Sequence, residues 1–424
     1  MAGSTTPVQE ASSVVVFAEN ETQPVRSRIT VLIPAHNEAG GIGQTLAALA
    51  EQTRLPDRVL VIADNCSDDT ALIALAQGAE VYETVGNSDK KAGALNQGLE
   101  RRFRRAAGRS VDAPVGSPGR RSSDRPMSGR HHATDQAFGS DLGDDDYVLV
   151  MDADTELSPQ FIEVAAASLD SSPAVGAAGG LFFGRDDAGL LAVLQRNEYV
   201  RYSREIARTG RVMVLSGTAT LFRARALREV AQARGSQLPG TPGQVYDTLA
   251  LTEDNELTLA LKTLGWTLAS PTACAVTTEI MPTWRDLWKQ RMRWQRGALE
   301  NLRHYGWTWT TTRYWAQQFG IGFGVLAFQA YVLLILVLIA LGSSIHFSPF
   351  WTAVGVVFLL ERVVTAWRGG WKARLVAAPL LIELAYDLFI QAVFVRSLYD
   401  LARGRTAAWH HVAASATAHV AKGG

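Results

Sequence analysis

Two aspartates, Asp152 and Asp154, directly follow a short apolar stretch at 147–151. Neighbouring carboxylates are what a hard divalent cation needs when diphosphate oxygens complete its coordination shell. Surface turns also contain Asp-x-Asp, so the pair gains weight from its place after a predicted strand. Polar groups at the carboxyl end of a strand lie where open α/β sheets bind ligands. We therefore predict a metal-assisted phosphate site here, with Mg²⁺ or Mn²⁺ as the cation.

Further polar side chains stand at comparable places. Asp64 follows the predicted strand 58–63, where a carboxylate can accept hydrogen bonds from a base or a ribose. Asp68 is explained equally well as the cap of the helix that follows. Lys91 lies in a small-residue helix start, 90–96, where backbone donors and a cation favour phosphate, although a solvent-facing lysine is the alternative. We predict a ligand-binding role for Asp64 and Lys91, and a structural role for Asp68.

Another pair of carboxylates, Glu253 and Asp254, precedes a predicted helix at 255–264. Attack of a sugar hydroxyl on an anomeric carbon requires a general base that takes the hydroxyl proton. Asp254 is the candidate for this base, and an ordinary helix-capping role is the competing explanation.

The segment 283–305 has apolar residues at helical spacing and many cations between them. A cationic, tryptophan-rich helix suits the membrane interface, whereas a soluble core helix rarely carries so many charges. Its residues Gln290, Arg293 and Trp294 combine an amide, a guanidinium and an indole on one turn. Arginine can grip a diphosphate and tryptophan can stack on a sugar ring, so we predict an acceptor gate here.

The elements that must position these residues alternate from Ile29 onward between apolar strands and amphipathic helices. This alternation predicts an α/β domain with a parallel sheet covered by helices on both faces. The segment 101–146 interrupts it with many arginines and few apolar residues, which predicts a disordered insertion. Its basic run either contacts lipid phosphates or is a solvated loop.

The membrane region is predicted from apolar runs near the end of the chain. Residues 319–341 are apolar except for Gln329 and are long enough to cross a hydrocarbon core of ~30 Å. A second apolar stretch follows at 350–364, and the distribution of Lys and Arg places the catalytic domain on the cytoplasmic side. The stretch 375–398 contains acidic residues, which favours an interfacial or re-entrant helix. The sequence therefore predicts two or three membrane spans.

Composition excludes several classes. Lys plus Arg and Asp plus Glu are both 41, so net charge gives no argument for nucleic-acid binding. The only cysteines, Cys66 and Cys274, have neither disulfide-framework nor zinc-site spacing. The polar segment 1–28 lacks a signal-peptide pattern. A Rossmann dehydrogenase is excluded because the first strand ends in Pro34 and not in a Gly-x-Gly-x-x-Gly turn.

Several motifs occur together in a fixed order between about Ile29 and Tyr305. They are Leu32–Glu38, Asp64, Lys91–Asn96, Asp152–Asp154, Thr252–Asp254 and Gln290–Trp294. This ordered set resembles the signature of processive family 2 glycosyltransferases, which include cellulose, chitin, hyaluronan and poly-N-acetylglucosamine synthases.

The resemblance implies a GT-A fold and an inverting, β-forming transfer from a UDP-sugar to a growing polysaccharide. It further implies Mg²⁺ or Mn²⁺ at Asp154 with help from Asp152, and Asp254 as the base. The other residues implied to contact the donor are Pro34, Glu38, Asp64, Lys91 and Asp152. The residues implied to contact the acceptor or the pyrophosphate are Ser216, Gly217, Glu253, Gln290, Arg293 and Trp294.

The sequence departs from that pattern in two respects. Related enzymes usually have Asp-Asp-Gly-Ser where this chain has Ala63-Asp64-Asn65-Cys66. Many also carry membrane helices before the catalytic domain, whereas this sequence has no long apolar run there. We expect an export channel of two or three helices either to need a second subunit or to be absent. A single-transfer enzyme that makes a glycolipid or glycosylates a protein is therefore the alternative. A membrane scaffold that has lost catalysis is a third reading, but it predicts loss of carboxylates that are present.

The predicted organisation follows from these arguments. It comprises a disordered tail (1–28), a GT-A catalytic domain (29–280), an amphipathic interfacial helix (281–310), a membrane region of two or three helices (311–402) and a C-terminal tail (403–424).

Overall fold

The structure is a computed structural model that describes residues 26–107, 142–186, 188–342, 348–367 and 370–405. The predicted N-terminal tail before residue 26 and the C-terminal tail after residue 405 lie outside the described residues, as does 108–141 of the predicted insertion.

Ten strands form two sheets. They are β1 (Ile29–Ala35), β2 (Arg58–Ala63), β3 (Glu80–Glu83), β4 (Tyr147–Met151), β5 (Glu156–Leu157), β6 (Val175–Gly179), β7 (Leu181–Gly184), β8 (Ala219–Arg223), β9 (Thr267–Ala269) and β10 (Ala275–Thr278). Seven of them make the main sheet, in the order β3-β2-β1-β4-β8-β6-β9. The other three make a small second sheet, in the order β5-β10-β7. The very short strands, such as β5, are too short to show a pattern in the sequence.

Strand β8 makes the main sheet mixed, because it runs antiparallel to both of its neighbours, β4 and β6. The neighbouring pairs β1–β2, β1–β4, β2–β3 and β6–β9 are parallel. The prediction of a parallel sheet is therefore wrong at this strand. All five residues of β8 are buried, and the composition of such a strand does not reveal its direction.

Twelve helices accompany the sheets in the described residues. They are α1 (Ile42–Ala50), α2 (Thr70–Ala76), α3 (Lys90–Ala107), α4 (Phe161–Asp170), α5 (Leu190–Thr209), α6 (Ala224–Ala233), α7 (Glu253–Thr263), α8 (Trp284–Tyr305), α9 (Trp309–Ala340), α10 (Pro349–Thr365), α11 (Gly370–Ala377) and α12 (Leu380–Ala402).

The main sheet has a hydrophobic core on each face. Val31 and Ile33 of β1 pack into one core with side chains of α1, α2 and α4. Leu32, between them in sequence, packs into the other core with side chains of α3, α6 and α7. Successive side chains of a strand point to opposite faces, so an uninterrupted apolar strand requires helices on both sides. The predicted layering of helices on both faces is confirmed.

Helix α3 and the chain before β4 are ordered parts of the domain and shorten the predicted insertion at both ends. Residues 101–107 continue α3. Leu142 is buried, and Asp146 accepts a hydrogen bond from the Arg28 guanidinium at 2.8 Å. Low apolar content predicted disorder from residue 101, but a helix that is already nucleated extends at little cost.

Helix α9 is 32 residues long and apolar enough to cross a membrane, and only 6% of its most apolar window is buried. It begins ten residues before the predicted span at 319–341. Helix α11 and residues 382–402 of α12 pass the same test only together, with a bend of 80° between them. Helix α10 has 17 residues, at the short end of the range of about 17–25 for a span.

A buried polar cluster joins α5 to the apolar helices. Glu383 of α12, which is 1% exposed, lies 2.8 Å from the guanidinium of Arg201 and accepts a hydrogen bond from Asn197 at 3.2 Å. Arg362 of α10 pairs with Asp387 at 2.5 Å. The acidic residues that argued against a third span at 375–398 thus have partners on neighbouring helices.

Candidate active site

A large cavity of about 1070 Å³ opens at the carboxyl ends of β1, β2 and β4. Every residue that the sequence nominated lines it, from Pro34 at the end of β1 to Trp294 on α8. Pockets for one small molecule typically measure roughly 300–1,000 Å³, so this cavity lies at the upper end of that range.

The end of β2 places Asp64 in the cavity wall with its orientation fixed. Its Oδ1 atom accepts hydrogen bonds from Thr84 at 2.7 Å and Asn87 at 2.8 Å, both from the segment that follows β3. Asn65, next in sequence, has a positive φ of 49° and also donates to Asp64. The sequence did not nominate Thr84 or Asn87, because the four-residue strand before them has no distinctive pattern.

Asp68 has the structural role that was predicted for it. Its Oδ1 atom accepts a hydrogen bond from the backbone amide of Thr70, at the start of α2, and its Oδ2 atom accepts one from the amide of Ala39 at 3.0 Å. It therefore ties the loop after β1 to α2. These hydrogen bonds lower the pKa of Asp68 against the opposing effect of burial.

Carboxylates crowd the cavity beside β4. Burial, together with the charges of Asp152 and Glu279, raises the pKa of Asp154 to about 6. Burial and the charges of Asp154 and Glu279 likewise raise the pKa of Glu38 to about 8. Neither Asp154 nor Glu38 has an ion-pair partner among the described residues. Such a cluster is short of positive charge, and a cation would relieve the repulsion within it.

Lys91 links three elements at the centre of the cavity. Its Nζ atom lies 2.6 Å from Asp152 Oδ1, 3.1 Å from Glu253 Oε1 and 3.3 Å from the carbonyl oxygen of Gly217. Burial alone would lower the pKa of Lys91, but the two carboxylates more than offset this and raise it. Lys91 is therefore a permanent cation and not a solvent-facing residue.

Glu253 and Asp254 lie in the first turn of α7. The prediction that they precede this helix is therefore wrong by two residues. Burial opposes ionisation of both, but the charges of Lys91 and Arg293 lower the pKa of Glu253 overall. For Asp254, burial and the neighbouring Glu253 raise the pKa to about 6. Adjacent carboxyls with pKa values pushed apart are typical of sites that assign separate acid and base roles.

The segment before β8 brings the backbone close to Asp254. The amide of Gly217 donates to Asp254 Oδ2 at 3.1 Å, and the amide of Asn255 donates to Oδ1 at 2.7 Å. A Cβ atom at position 217 would lie 3.0 Å from Asp254 Oδ2, so glycine permits this approach. Ser216 lines the same wall, and its hydroxyl hydrogen-bonds to that of Thr218.

Gln290, Arg293 and Trp294 of α8 form a helical wall of the cavity. Trp294 packs against the core cluster of α5 that contains Tyr199. Gln290 accepts a hydrogen bond from Arg291 at 2.6 Å. The acceptor gate predicted for these three residues thus lies in the cavity wall and stays a prediction.

Sequence reasoning did not nominate Arg291, whose side chain holds this wall in place. It is 5% exposed, pairs with Glu198 of α5 at 2.8 Å and lies 4.3 Å from the centre of the Trp294 ring. Tyr386 of α12 donates to the same Glu198 carboxylate at 2.5 Å. The only signal in the sequence was the run of cations on α8, which does not show which cation turns inward.

Comparisons with known proteins agree with this arrangement. The family model described as "Glycosyltransferase like family 2" matches residues 26–297. A poly-beta-1,6-N-acetyl-D-glucosamine synthase from Staphylococcus epidermidis is 24% identical over 70% of this chain. One from Staphylococcus aureus strain MSSA476 is 24% identical over 65% of this chain. The chain spans 61% and 55% of the length of these relatives.

A solved structure shows the same fold. A mannosyltransferase from Pyrobaculum calidifontis, in complex with GDP-Man and Mn²⁺, superposes with a TM-score of 0.52 at 16% identity, covering 89% of this chain and 88% of that one. The predicted GT-A fold is thereby confirmed. Since the family model matches more than half of the sequence, the chain belongs to the glycosyltransferase-like family 2.

Proposed function

We propose that this protein is a membrane-bound, inverting glycosyltransferase that moves a sugar from a UDP-sugar to a growing, β-linked polysaccharide. The observation that carries the proposal is the convergence of acidic side chains from β2, β4 and α7 on one cavity, with Lys91 between them. The names of the staphylococcal relatives support polymer synthesis as the class of reaction.

The donor would lie along the ends of β1, β2 and β4. Pro34, Glu38 and Asp64 line the part of the cavity assigned to the nucleoside, where the fixed Asp64 carboxylate can accept from a base or ribose. Lys91 and Arg293 carry the charge that a diphosphate needs. A glutamate with a raised pKa, Glu38, can also remain protonated and donate a hydrogen bond.

A divalent cation, Mg²⁺ or Mn²⁺, fits the side chains beside β4. Asp152 and Asp154 would hold it, since oxygen ligands suit both ions, and a cation would offset the burial and the charges of Asp152 and Glu279 that raise the pKa of Asp154. Among the described residues no group of three or more His, Cys, Asp or Glu is arranged as a metal site. Phosphate oxygens of the donor would therefore complete the shell. The ion would neutralise charge that develops on the departing diphosphate.

Asp254 acts as the general base in this proposal. Each of its carboxylate oxygens accepts a hydrogen bond from one backbone amide, which fixes the orientation of the carboxylate. Each oxygen keeps a further lone pair for the acceptor hydroxyl. It takes the proton of the acceptor hydroxyl while the hydroxyl oxygen bonds to the anomeric carbon and the bond from that carbon to the diphosphate breaks. Attack opposite the leaving group inverts the anomeric centre. A pKa of about 6 keeps Asp254 ionised at neutral pH.

The acceptor would enter past Gln290 and Trp294, whose indole offers a flat face to a pyranose ring. The exposed apolar surface of α9, which includes Phe319, Phe323 and Leu326, supports insertion in a membrane. Two or three spans, a catalytic domain on the cytoplasmic side and assembly with a second copy or a partner subunit belong to the same proposal.

The test uses membranes that contain the full chain, a panel of UDP-sugars with GDP-Man beside them, and Mn²⁺ or Mg²⁺. Nucleotide release and product size are measured together. A ladder of lengths from one UDP-sugar supports the proposal, and one discrete product assigns the protein to single transfer onto a glycolipid or a protein. No donor consumption above background with any sugar contradicts it.

A further inference from the structure

A group of charged residues lines the cavity but has no part in the proposed reaction. We call this group the basic arm and define it by Lys289 and Arg296 of α8, Arg396 and Asp400 of α12, and Arg405 just after α12. Four of these five side chains are cationic. The donor end of the same cavity has the opposite character, because carboxylates dominate there.

The internal partners of the basic arm do not neutralise it. Arg396 and Arg405 share a single carboxylate, that of Asp400, at 2.9 Å and 3.1 Å. Arg296 pairs with Glu300 at 2.6 Å, and Lys289 pairs with Asp286 at 3.4 Å, so three carboxylates face four cations. A guanidinium has five N–H donors, so each of these arginines retains donors for a further acceptor. The arm therefore has an excess of positive charge and of hydrogen-bond donors.

The backbone after α12 folds so that Arg405 returns to the cavity. Gly404 has a positive φ of 64°, the amide of Arg405 donates to the carbonyl of Asp400, and the Arg296 guanidinium donates to the carbonyl of Arg405. Neutralising the carbonyl end of α12 would explain a cation there. Arg403, however, is the C-cap residue of α12 and does not line the cavity, so Arg405 is placed specifically.

Apolar surface borders the arm. Trp288 and Met292 of α8 line the cavity beside the arginines, and Trp288 packs edge-on against Phe389 of α12 at 5.6 Å. A ligand in this arm would therefore meet cations at one end and the apolar helices at the other, as an amphiphile with an anionic head does.

Building on the proposed function, we propose that the basic arm binds a phosphate group of the sugar acceptor, and that a lipid carries this phosphate at the membrane surface. Arginine forks match phosphate oxygens in pairs, and two such forks with Arg296 supply the donors that one phosphate needs. The acceptor hydroxyl would then be presented to Asp254 from the membrane side.

The test measures binding and not turnover, with the full chain in a neutral detergent. Isothermal titration calorimetry compares octyl phosphate, octyl glucoside and inorganic phosphate as ligands. We expect octyl phosphate to bind, octyl glucoside not to bind, and the double variant Arg396→Gln/Arg405→Gln to weaken octyl phosphate at least about 10-fold, because charge-assisted hydrogen bonds are lost. Arg403→Gln, which removes the same charge from the same helix end, should change the affinity less than about 2-fold.

The outcomes separate the sources of the phosphate. If octyl phosphate binds and inorganic phosphate does not, the phosphate group belongs to a lipid. If both bind equally, the anion site stands, but the proposal that a lipid carries the phosphate is contradicted. Equal binding of octyl phosphate and octyl glucoside, or an unchanged affinity in the double variant, overturns the proposal. Arg396→Lys/Arg405→Lys, which keeps the charge, should restore part of the affinity.

A parallel titration with UDP and Mn²⁺ separates this inference from the proposed function. The double variant should bind UDP as the unmodified protein does, which also shows that it is folded. If the unmodified protein binds octyl phosphate but not UDP, the proposed function fails and the anion site stands. If it binds UDP but not octyl phosphate, the anion site alone fails.

Discussion

The two ends of the cavity are built by different means. At the donor end, Asp64 and Asp152 follow adjacent parts of a hydrogen-bonded sheet, and the strand register places them. At the other end, α8 and α12 have no such ladder, and side chains such as Arg291 and Arg296 set the geometry. Backbone pairing thus fixes the acidic end, while ion pairs and ring contacts fix the basic end.

The difference in charge has a chemical consequence. The donor end has too many carboxylates for its cations, which suits a metal ion and a diphosphate together. The basic arm has too few carboxylates, which suits an anion with no metal. If both proposals hold, one cavity distinguishes two phosphorylated ligands by whether each arrives with a cation.

Removal of the proposed base tests the donor end most severely. Asp254→Asn keeps the size of the side chain but cannot take a proton, and we expect the rate of sugar transfer to fall by about 10²–10⁴-fold. Nucleotide release from a saturating donor measures it. Asp69→Asn is the matched control, since Asp69 is exposed and makes no capping hydrogen bond. Equal rates in the two variants would refute the role of Asp254.

Lys91→Met tests how the acidic end is held together. It leaves Asp152 and Glu253 without their shared cation, and we expect a rate lower by about 10–100-fold and a thermal midpoint lower by several degrees. The exposed Lys372→Met on α11 is the control. A rate like that of the control would show that Lys91 is not needed to balance these carboxylates.

The pH profile should reveal the titration of Asp254. Because its pKa is raised to about 6, the base is protonated below that value, and the rate should fall about tenfold per pH unit on the acid side and level off above pH 7. Lys91 lowers the pKa of Asp254, so Lys91→Met should move this limb to higher pH. A limb near pH 4 in the unmodified protein would contradict the assignment.

Glu198→Gln tests the end of the cavity that α8 and α12 build, and its expected effect is the smallest of the four. It removes the charge that holds Arg291, and hence the wall with Gln290 and Trp294. We expect KM for the acceptor to rise about 3–10-fold while KM for the donor stays within about 2-fold. Glu205→Gln, at an exposed pair with Arg208, is the control. A rise in the donor KM alone would contradict this prediction, because it would show that Glu198 supports donor binding and not acceptor binding.

The sequence predicted the donor end of the cavity better than the end that α8 and α12 build. Polar residues after apolar strands identified Asp64, Asp152 and Asp154, because strand ends in an α/β sheet share one edge. It gave no means to find Glu198 or Arg291, which meet only through the packing of α5 against α8. The direction of β8 was also hidden, because the composition of a strand buried on both faces does not reveal whether it runs parallel or antiparallel to its neighbours.

Equilibrium binding of UDP tests the central claim most directly, that acidic side chains from separate strand ends form one donor site with a cation. Calorimetry of the full chain should show UDP binding that is at least about 10-fold tighter with Mn²⁺ than without, and Asp154→Asn should abolish this difference while Asp69→Asn preserves it. UDP affinity that is the same with and without Mn²⁺, or the same Mn²⁺ dependence in Asp154→Asn, would contradict the account.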